Sequence, residues 1–303
     1  MTTGRARIVR WAVRCIGFVI FGVLLYRIGP GKIWESVSSV QPVYFFAALP
    51  VFFLMIGVKT LKMRVLMRSP MKFSELYDLN AFGFSVGSIT PGRLGEFSKI
   101  IFLSRAGITV SESFTVTLID RMSDVAGMIL CAAAGMYVFF GPAAGWIGGI
   151  TALACAAAAM ALWYSDRLSR RLTWGKLREL VEIEGQAVRA YVRNLTPDRW
   201  GMTLVLTLLY LGLYFFQMWI LSRGLHLPIT YVQTTMAISA SAVPAILPIS
   251  VFNVGPRDAV LAAIFSRMGW GAEGGLALST LILALFLVNG IFGLFFLPRR
   301  PPA

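Results

Sequence analysis

Charge is scarce in this chain. Only 14% of its 303 residues are Asp, Glu, Lys or Arg, against roughly 25% in an ordinary soluble domain. Histidine is scarcer: His226 is the only one, which argues against a His-based metal centre or a Ser-His-Asp triad. The three cysteines, Cys15, Cys131 and Cys155, all lie in apolar blocks. They read as small buried hydrophobes, not as a disulfide framework or a thiolate metal site. No Walker loop, metal-ligand cluster or nucleophile–base pair is visible, so no cofactor and no ATP coupling within the chain is expected. Ten-residue segments of alternating polarity are missing too, which excludes a transmembrane barrel.

What is present is apolar. Hydrophobic residues make up 57% of the chain, in blocks that reach the roughly 18 to 20 residues a helix needs to cross a bilayer. The chain reads as an all-α polytopic membrane protein with about six transmembrane helices, at 9–28, 42–61, 113–140, 144–164, 201–222 and 275–297. The first apolar run, CIGFVIFGVLLY, is followed by RIGPGK. No small-residue cleavage site follows, so it reads as a retained span and not as a signal peptide.

Two more apolar segments are interrupted. One, 79–103, is broken by TPGRLGE, and the other, 230–266, by PAILPISVFNVGPRD. Net charge is +14. In a membrane protein that excess belongs on cytoplasmic loops, and it does not imply nucleic acid. With the N-terminus inside, the cytoplasmic face collects Arg5, Arg7, Arg10 and Arg14, then Lys59, Lys62, Arg64, Arg68 and Lys72. The 165–200 linker and the tail at Arg299 and Arg300 add more. The outer face receives only Arg27, Lys32, Arg223 and Arg267. This bias holds only if each broken segment enters and leaves on one side. Both are therefore expected to be re-entrant helical hairpins of opposite orientation, with their irregular backbone lining a cavity. The expected setting is the cytoplasmic (inner) membrane of a bacterium or archaeon, with both termini cytoplasmic.

The order span, span, hairpin, span occurs twice, at 9–140 and 144–297. An odd number of crossings per half makes the second an inverted repeat. GEFSKIIFLSRAG and RDAVLAAIFSRMG align without gaps and pair Glu96 with Asp258. Interrupted segments at equivalent places in inverted repeats point to a transport site near the midplane. The 165–200 linker carries Leu177, Leu180, Val181, Val188, Tyr191, Val192 and Leu195 at helical spacing. It is either an amphipathic helix on the inner leaflet or a helix packed on the protein core.

Three charged constellations fall at membrane depth: Arg93, Glu96 and Lys99; Asp120, Arg121 and Asp124; Asn253, Arg257 and Asp258. Such charges persist only where they face a polar interior. Asp120 and Asp124 share a helix face and need a cation or proton between them, for which Arg93 or Arg257 is a candidate. Both arginines follow a Pro–Gly or Gly–Pro break, where backbone N–H groups and a guanidinium together suit a phosphate. These nine residues are the candidate substrate-binding set, with no catalytic residue among them.

TPGRLGEFSK followed by LIDRMSDV resembles the signature of the lysylphosphatidylglycerol synthase/flippase transmembrane family, and ILPISVFNVGPRDAVL resembles its second motif. Here Phe252-Asn253-Val254-Gly255-Pro256 stands where the family commonly has Gly-Gly-x-Gly-x, and Asp258 replaces the usual Glu. The resemblance implies a flippase-like membrane domain. In the best-known members that domain is fused to an aminoacyl transferase; relatives serve hopanoid and dolichol-phosphate glycan pathways. The chain runs to Pro298-Arg299-Arg300 without such a transferase, so the expectation is a non-enzymatic protein that handles a lipid made elsewhere. The expected cargo is an anionic or aminoacylated phospholipid or a polyprenyl-phosphate-linked sugar. The alternative is a non-transporting accessory subunit of a membrane lipid or glycan synthase.

Overall fold

A computed structural model describes residues 31, 40–69, 71–142, 149–150, 186, 188–243 and 254–296. All regular structure among them is helical: α1 (Pro42–Leu66), α2 (Phe73–Ile89), a 3-10 segment (Pro91–Ser98), α3 (Lys99–Arg105), α4 (Val110–Phe140), α5 (Pro197–Gly224), α6 (Tyr231–Ala242), α7 (Pro256–Arg267) and α8 (Ala272–Leu294). Four of these, α1, α4, α5 and α8, are long and apolar enough to cross a membrane. They match the expected spans at 42–61, 113–140, 201–222 and 275–297; the first three are extended by a few residues and the last is shifted three residues toward the N-terminus. The expected spans at 9–28 and 144–164 fall outside the described residues, apart from positions 149 and 150. Phe46, Leu54, Leu130 and Leu208 are each 59% exposed or more. Outward leucine and phenylalanine on a long helix suit hydrocarbon and not water.

The sequence breaks at Thr90 because Pro91 cannot continue α2 and disfavours helical backbone in the residue before it. Thr90 is extended (φ −98°, ψ 140°), and its hydroxyl accepts the Gly95 N–H at 2.7 Å. The chain then runs back along α2. Two glycines on α2 make room: a Cβ at Gly87 would meet the Glu96 side chain, and one at Gly83 the Lys99 side chain. Phe82 meets Phe102 edge-on at 5.4 Å. The segment 79–103 is thus a helical hairpin in its local geometry.

The helices pair in a pattern that survives an exchange of halves. α1 packs on α5 over the broadest interface; α2 packs on α8 as α6 packs on α4. Likewise α3 lies on α4 as α7 lies on α8, and α1 meets α2 as α5 meets α6. Local backbone repeats as well. After α3, Gly107 is left-handed (φ 86°) and the Ile108 N–H donates to Leu103 O at 3.1 Å. After α7, Gly269 is left-handed (φ 73°) and the Trp270 N–H donates to Phe265 O at 2.9 Å. Both ends are the same glycine-terminated closure. They fall where the gapless alignment of 95–107 with 257–269 puts them.

At the Leu66 end, α4 begins with Thr109 capping the Glu112 N–H at 3.2 Å. The Glu112 carboxylate then accepts the backbone N–H groups of Arg68 (2.7 Å) and Ser69 (3.1 Å), closing the turn after α1. The Tyr191 hydroxyl donates to Leu66 O at 2.6 Å, and Arg68 stacks over the Tyr191 ring at 4.2 Å. Burial, with the Glu112 carboxylate adding to it, pushes the Tyr191 phenol up to about 12, so it stays a neutral donor. Tyr191 and Leu195 are buried with Met63, Leu66, Leu103 and Ile119. The described end of the 165–200 linker therefore packs on the protein; residues 165–185 lie outside the described set.

Close helix contact depends on glycine, at Gly135 and Gly293 among other places. A Cβ on Gly135 of α4 would fall 2.3 Å from Met236 O, and one on Gly293 of α8 would fall 2.4 Å from Ala81 O. Backbone cannot yield as a side-chain tip can. Gly135→Ala and Gly293→Ala are each expected to destabilise by about 1–3 kcal/mol, the usual range for overpacking. Gly290→Ala, with open space at its Cβ, is the control and leaves the melting temperature in detergent unchanged or slightly raised. Equal melting of all three variants contradicts the packing.

Candidate functional site

α1 delivers Lys59 and Lys62 to one of its faces, three residues apart, and α4 delivers Asp120 and Asp124, four apart. The pairs interlock. Lys59 Nζ lies 2.8 Å from Asp124 Oδ2 and 3.2 Å from Asp120 Oδ2. Lys62 Nζ lies 2.8 Å from Asp120 Oδ1 and 2.5 Å from Asp124 Oδ1. Lys62 also donates to Ser123 Oγ at 3.2 Å. Ion contacts hold Asp120, with Lys99 adding a third at 3.8 Å, since neither of its oxygens accepts a well-directed hydrogen bond among the described residues. The Tyr210 ring of α5 closes the floor, 4.8 Å from Lys59 Nζ.

This corrects two expectations. Lys59 and Lys62 are 3% and 0% exposed, so they are buried against protein and not free surface charges. α1 runs on to Leu66, so both lie in its last two turns and face carboxylates instead of solvent. The cation between Asp120 and Asp124 is supplied by these lysines and not by Arg93 or Arg257. The sequence held a signal that was overlooked: lysines three apart at the end of one span and aspartates four apart in another fit face to face.

The hairpin adds the other half of the cluster. Arg121 donates to Glu96 Oε1 at 3.0 Å. Arg93 stands 3.9 Å from the same oxygen, and Lys99 stands 4.0 Å from Glu96 Oε2. Lys99 Nζ donates to Asn80 Oδ1 at 2.8 Å. Asn80 is itself fixed by Leu76 O and the Thr60 hydroxyl. Arg93 does not start an α-helix, as the Pro–Gly break suggested. It lies within the 3-10 segment at φ 56°, left-handed backbone that costs a non-glycine residue on the order of 1–3 kcal/mol. Its guanidinium lies 5.1 Å from the Phe84 ring centroid and 5.6 Å from that of Phe286, with a quarter of the side chain exposed.

Six of the nine predicted residues, Arg93, Glu96, Lys99, Asp120, Arg121 and Asp124, thus meet in one cluster. Arg257 and Asp258 form another. Asp258 accepts the Gly255 N–H at 2.6 Å and caps α7. Arg257 donates through Nε to Ser279 Oγ at 2.8 Å and through Nη2 to Ser279 O at 2.9 Å; the Ser279 hydroxyl donates to Asp258. Arg257 Nη1 is buried and has no partner among the described residues. No ion pair joins the two clusters among those residues. Tyr214 of α5, one turn from Tyr210, lies within electrostatic reach of both Arg93 and Arg257. Asn253 lies outside the described residues. The gapless alignment does not equate the arginines either: in its register Arg93 falls opposite Gly255, which is also left-handed (φ 94°).

Long apolar helices around a buried, hydrogen-bonded charge cluster define an integral membrane protein with a polar interior site. The chain belongs to a family described as the lysylphosphatidylglycerol synthase TM region, whose sequence model matches residues 11–293. No curated protein matches the chain significantly.

Removing one partner of a buried ion pair costs about 3–5 kcal/mol because the other charge stays behind. Lys62→Met is expected to fall in that range in a thermal or denaturant melt in detergent. The double variant Lys62→Met/Asp124→Leu recovers part of the loss, because no unmatched carboxylate remains. Additive losses in the double-mutant cycle contradict the interlock.

Proposed function

We propose that the chain is a lipid translocase, a flippase or scramblase, that moves a phosphate-bearing lipid between leaflets and does no chemistry on it. The carrying observation is the cluster itself. Lys59, Lys62, Arg93, Lys99 and Arg121 meet Glu96, Asp120 and Asp124 among apolar helices, with Arg93 at the partly open edge. Charges at such depth are retained where a polar ligand or pathway needs them. The family, a transmembrane region of lipid-handling proteins by its description, supports a lipid as cargo.

In this reading Arg93 and Arg121 meet the headgroup phosphate, Lys99 adds positive field from behind, and Arg257 contributes its unpartnered Nη1 from the second half. Asp120 and Asp124 with Lys59 and Lys62 brace α1 against α4. The exchange-symmetric packing and the matching closures at Gly107 and Gly269 support an inverted repeat. Its two hairpins enter from opposite faces of the cytoplasmic membrane, with both termini in the cytoplasm. The candidate cargoes are an anionic or aminoacylated phospholipid and a polyprenyl-phosphate-linked sugar. Alternating access follows if the two halves rock about α1 and α5, whose contact is the broadest in the structure.

Proteoliposomes with labelled phosphatidylglycerol or a labelled polyprenyl phosphate test this. Wild-type protein is expected to move at least one of them. Arg93→Ala, provided it elutes as a folded protein, is expected to slow movement at least about tenfold, the scale of one lost charge-assisted contact. Normal movement by the variant removes Arg93 from the site. No movement of any phosphate lipid by the wild type favours the accessory-subunit alternative, which recovery of a synthase on co-purification supports.

A further inference from the structure

The cluster is not electrically balanced, and the imbalance has a location. On the α1–α4 side, two lysines face two aspartates at 2.5–3.2 Å, and their charges cancel. On the hairpin side the cations crowd one carboxylate: Arg121, Arg93 and Lys99 stand 3.0, 3.9 and 4.0 Å from Glu96, and Lys59 reaches across to it at 3.7 Å. Lys99 also reaches Asp120, at 3.8 Å, but that carboxylate is already held by Lys59 and Lys62. Arg257 and Asp258 cancel each other and change nothing. Five cations against three carboxylates leave two positive charges uncompensated among the described residues.

The hydrogen bonding shows the same slack. Lys99 is 1% exposed, and its only hydrogen-bond acceptor among the described residues is the neutral Asn80. Glu96 Oε2 is buried and accepts no hydrogen bond among the described residues, with Lys59 and Lys99 only at 3.7 and 4.0 Å. The Arg93 side chain makes no hydrogen bond among the described residues and is the most exposed of the five cations. Unpaired charge in a low-dielectric interior is strongly disfavoured, so the site calls for an anion of matching charge beside Arg93, Lys99 and Arg121.

Resting on the lipid-phosphate reading above, we infer that the ligand of this site presents two negative charges on one phosphate, as a terminal phosphomonoester does. A phosphomonoester carries about −1.5 to −2 near neutral pH and so cancels the excess. A phosphodiester headgroup carries one charge and leaves half of it. An aminoacylated phosphodiester has no net charge with a neutral amino acid and +1 with lysine, so it relieves none of the excess and brings an ammonium toward Arg93 and Lys99. The inference separates the candidate cargoes: a lipid ending in a free phosphate fits, and a phosphatidylglycerol-type diester does not.

The test uses the full chain in detergent and three probes at about pH 8, where a phosphomonoester is fully dianionic. These are farnesyl phosphate, its methyl ester with the same tail and one charge fewer, and inorganic phosphate. Farnesyl phosphate is expected to bind at least about tenfold more tightly than the ester, the scale of one extra charge in a partly buried site. Arg93→Gln, which lowers the excess by one, is expected to narrow that ratio severalfold; a purely structural Arg93 weakens both probes alike. Because the wild-type ratio is decisive by itself, a variant that fails to fold leaves the test intact. Equal or tighter binding of the ester overturns the inference and leaves the lipid-phosphate reading standing. Inorganic phosphate competing as well as farnesyl phosphate supports the dianion site but overturns a lipid as its occupant. No binding of any probe overturns both.

Discussion

Charge buried among apolar helices must be answered by charge. Lys59 and Lys62 on α1 answer Asp120 and Asp124 on α4, and most of the structure can be read from that contact. A lone charge at the centre of a membrane helix costs about 2.5–3.5 kcal/mol on insertion scales. Four such charges remain together because each lysine reaches both aspartates. The interlock fixes the azimuth of α1 against α4. It also turns the neighbouring Arg121 toward the hairpin, where it binds Glu96.

The hairpin depends on a second constraint, the close approach of its two arms. Gly83 and Gly87 on α2 have no side chains, and the space they leave is filled by Lys99 and Glu96. The same glycines that let the chain fold back thus seat two of the site's charges. The Thr90 hydroxyl, accepting from Gly95, holds the turn that presents Arg93 at its edge. Backbone geometry and electrostatics act here as one device: the turn is tight because glycine allows it, and the tightness concentrates cations around a single glutamate.

Much of this was legible in the sequence. Runs of about twenty apolar residues are strong signals, and α1, α4, α5 and α8 lie within a few residues of the spans they announced. The Thr90–Pro91 break and the charges after it located the first hairpin and six members of the cluster. Lys59 and Lys62 were hidden because a basic residue near a span end looks like a loop residue; only the helix that continues to Leu66 shows otherwise. The partner of the aspartate pair was a contact over about sixty residues, which spacing along one helix does not reveal. Glu96 and Asp258 align in the gapless register, yet one gathers four cations and the other caps a helix. The gapless alignment of 95–107 with 257–269 matches backbone more faithfully than chemistry.

Under the proposed function, the charge excess around Glu96 binds a headgroup phosphate and is not a structural knot. An electron-cryomicroscopy map of the protein in nanodiscs containing a lipid with a terminal phosphate tests it most directly. The account predicts phosphate density within hydrogen-bond distance of the Arg93 guanidinium, on the side shared with Arg121 and Lys99. A map in which Arg93 closes onto protein carboxylates, with no headgroup at the hairpin, contradicts it.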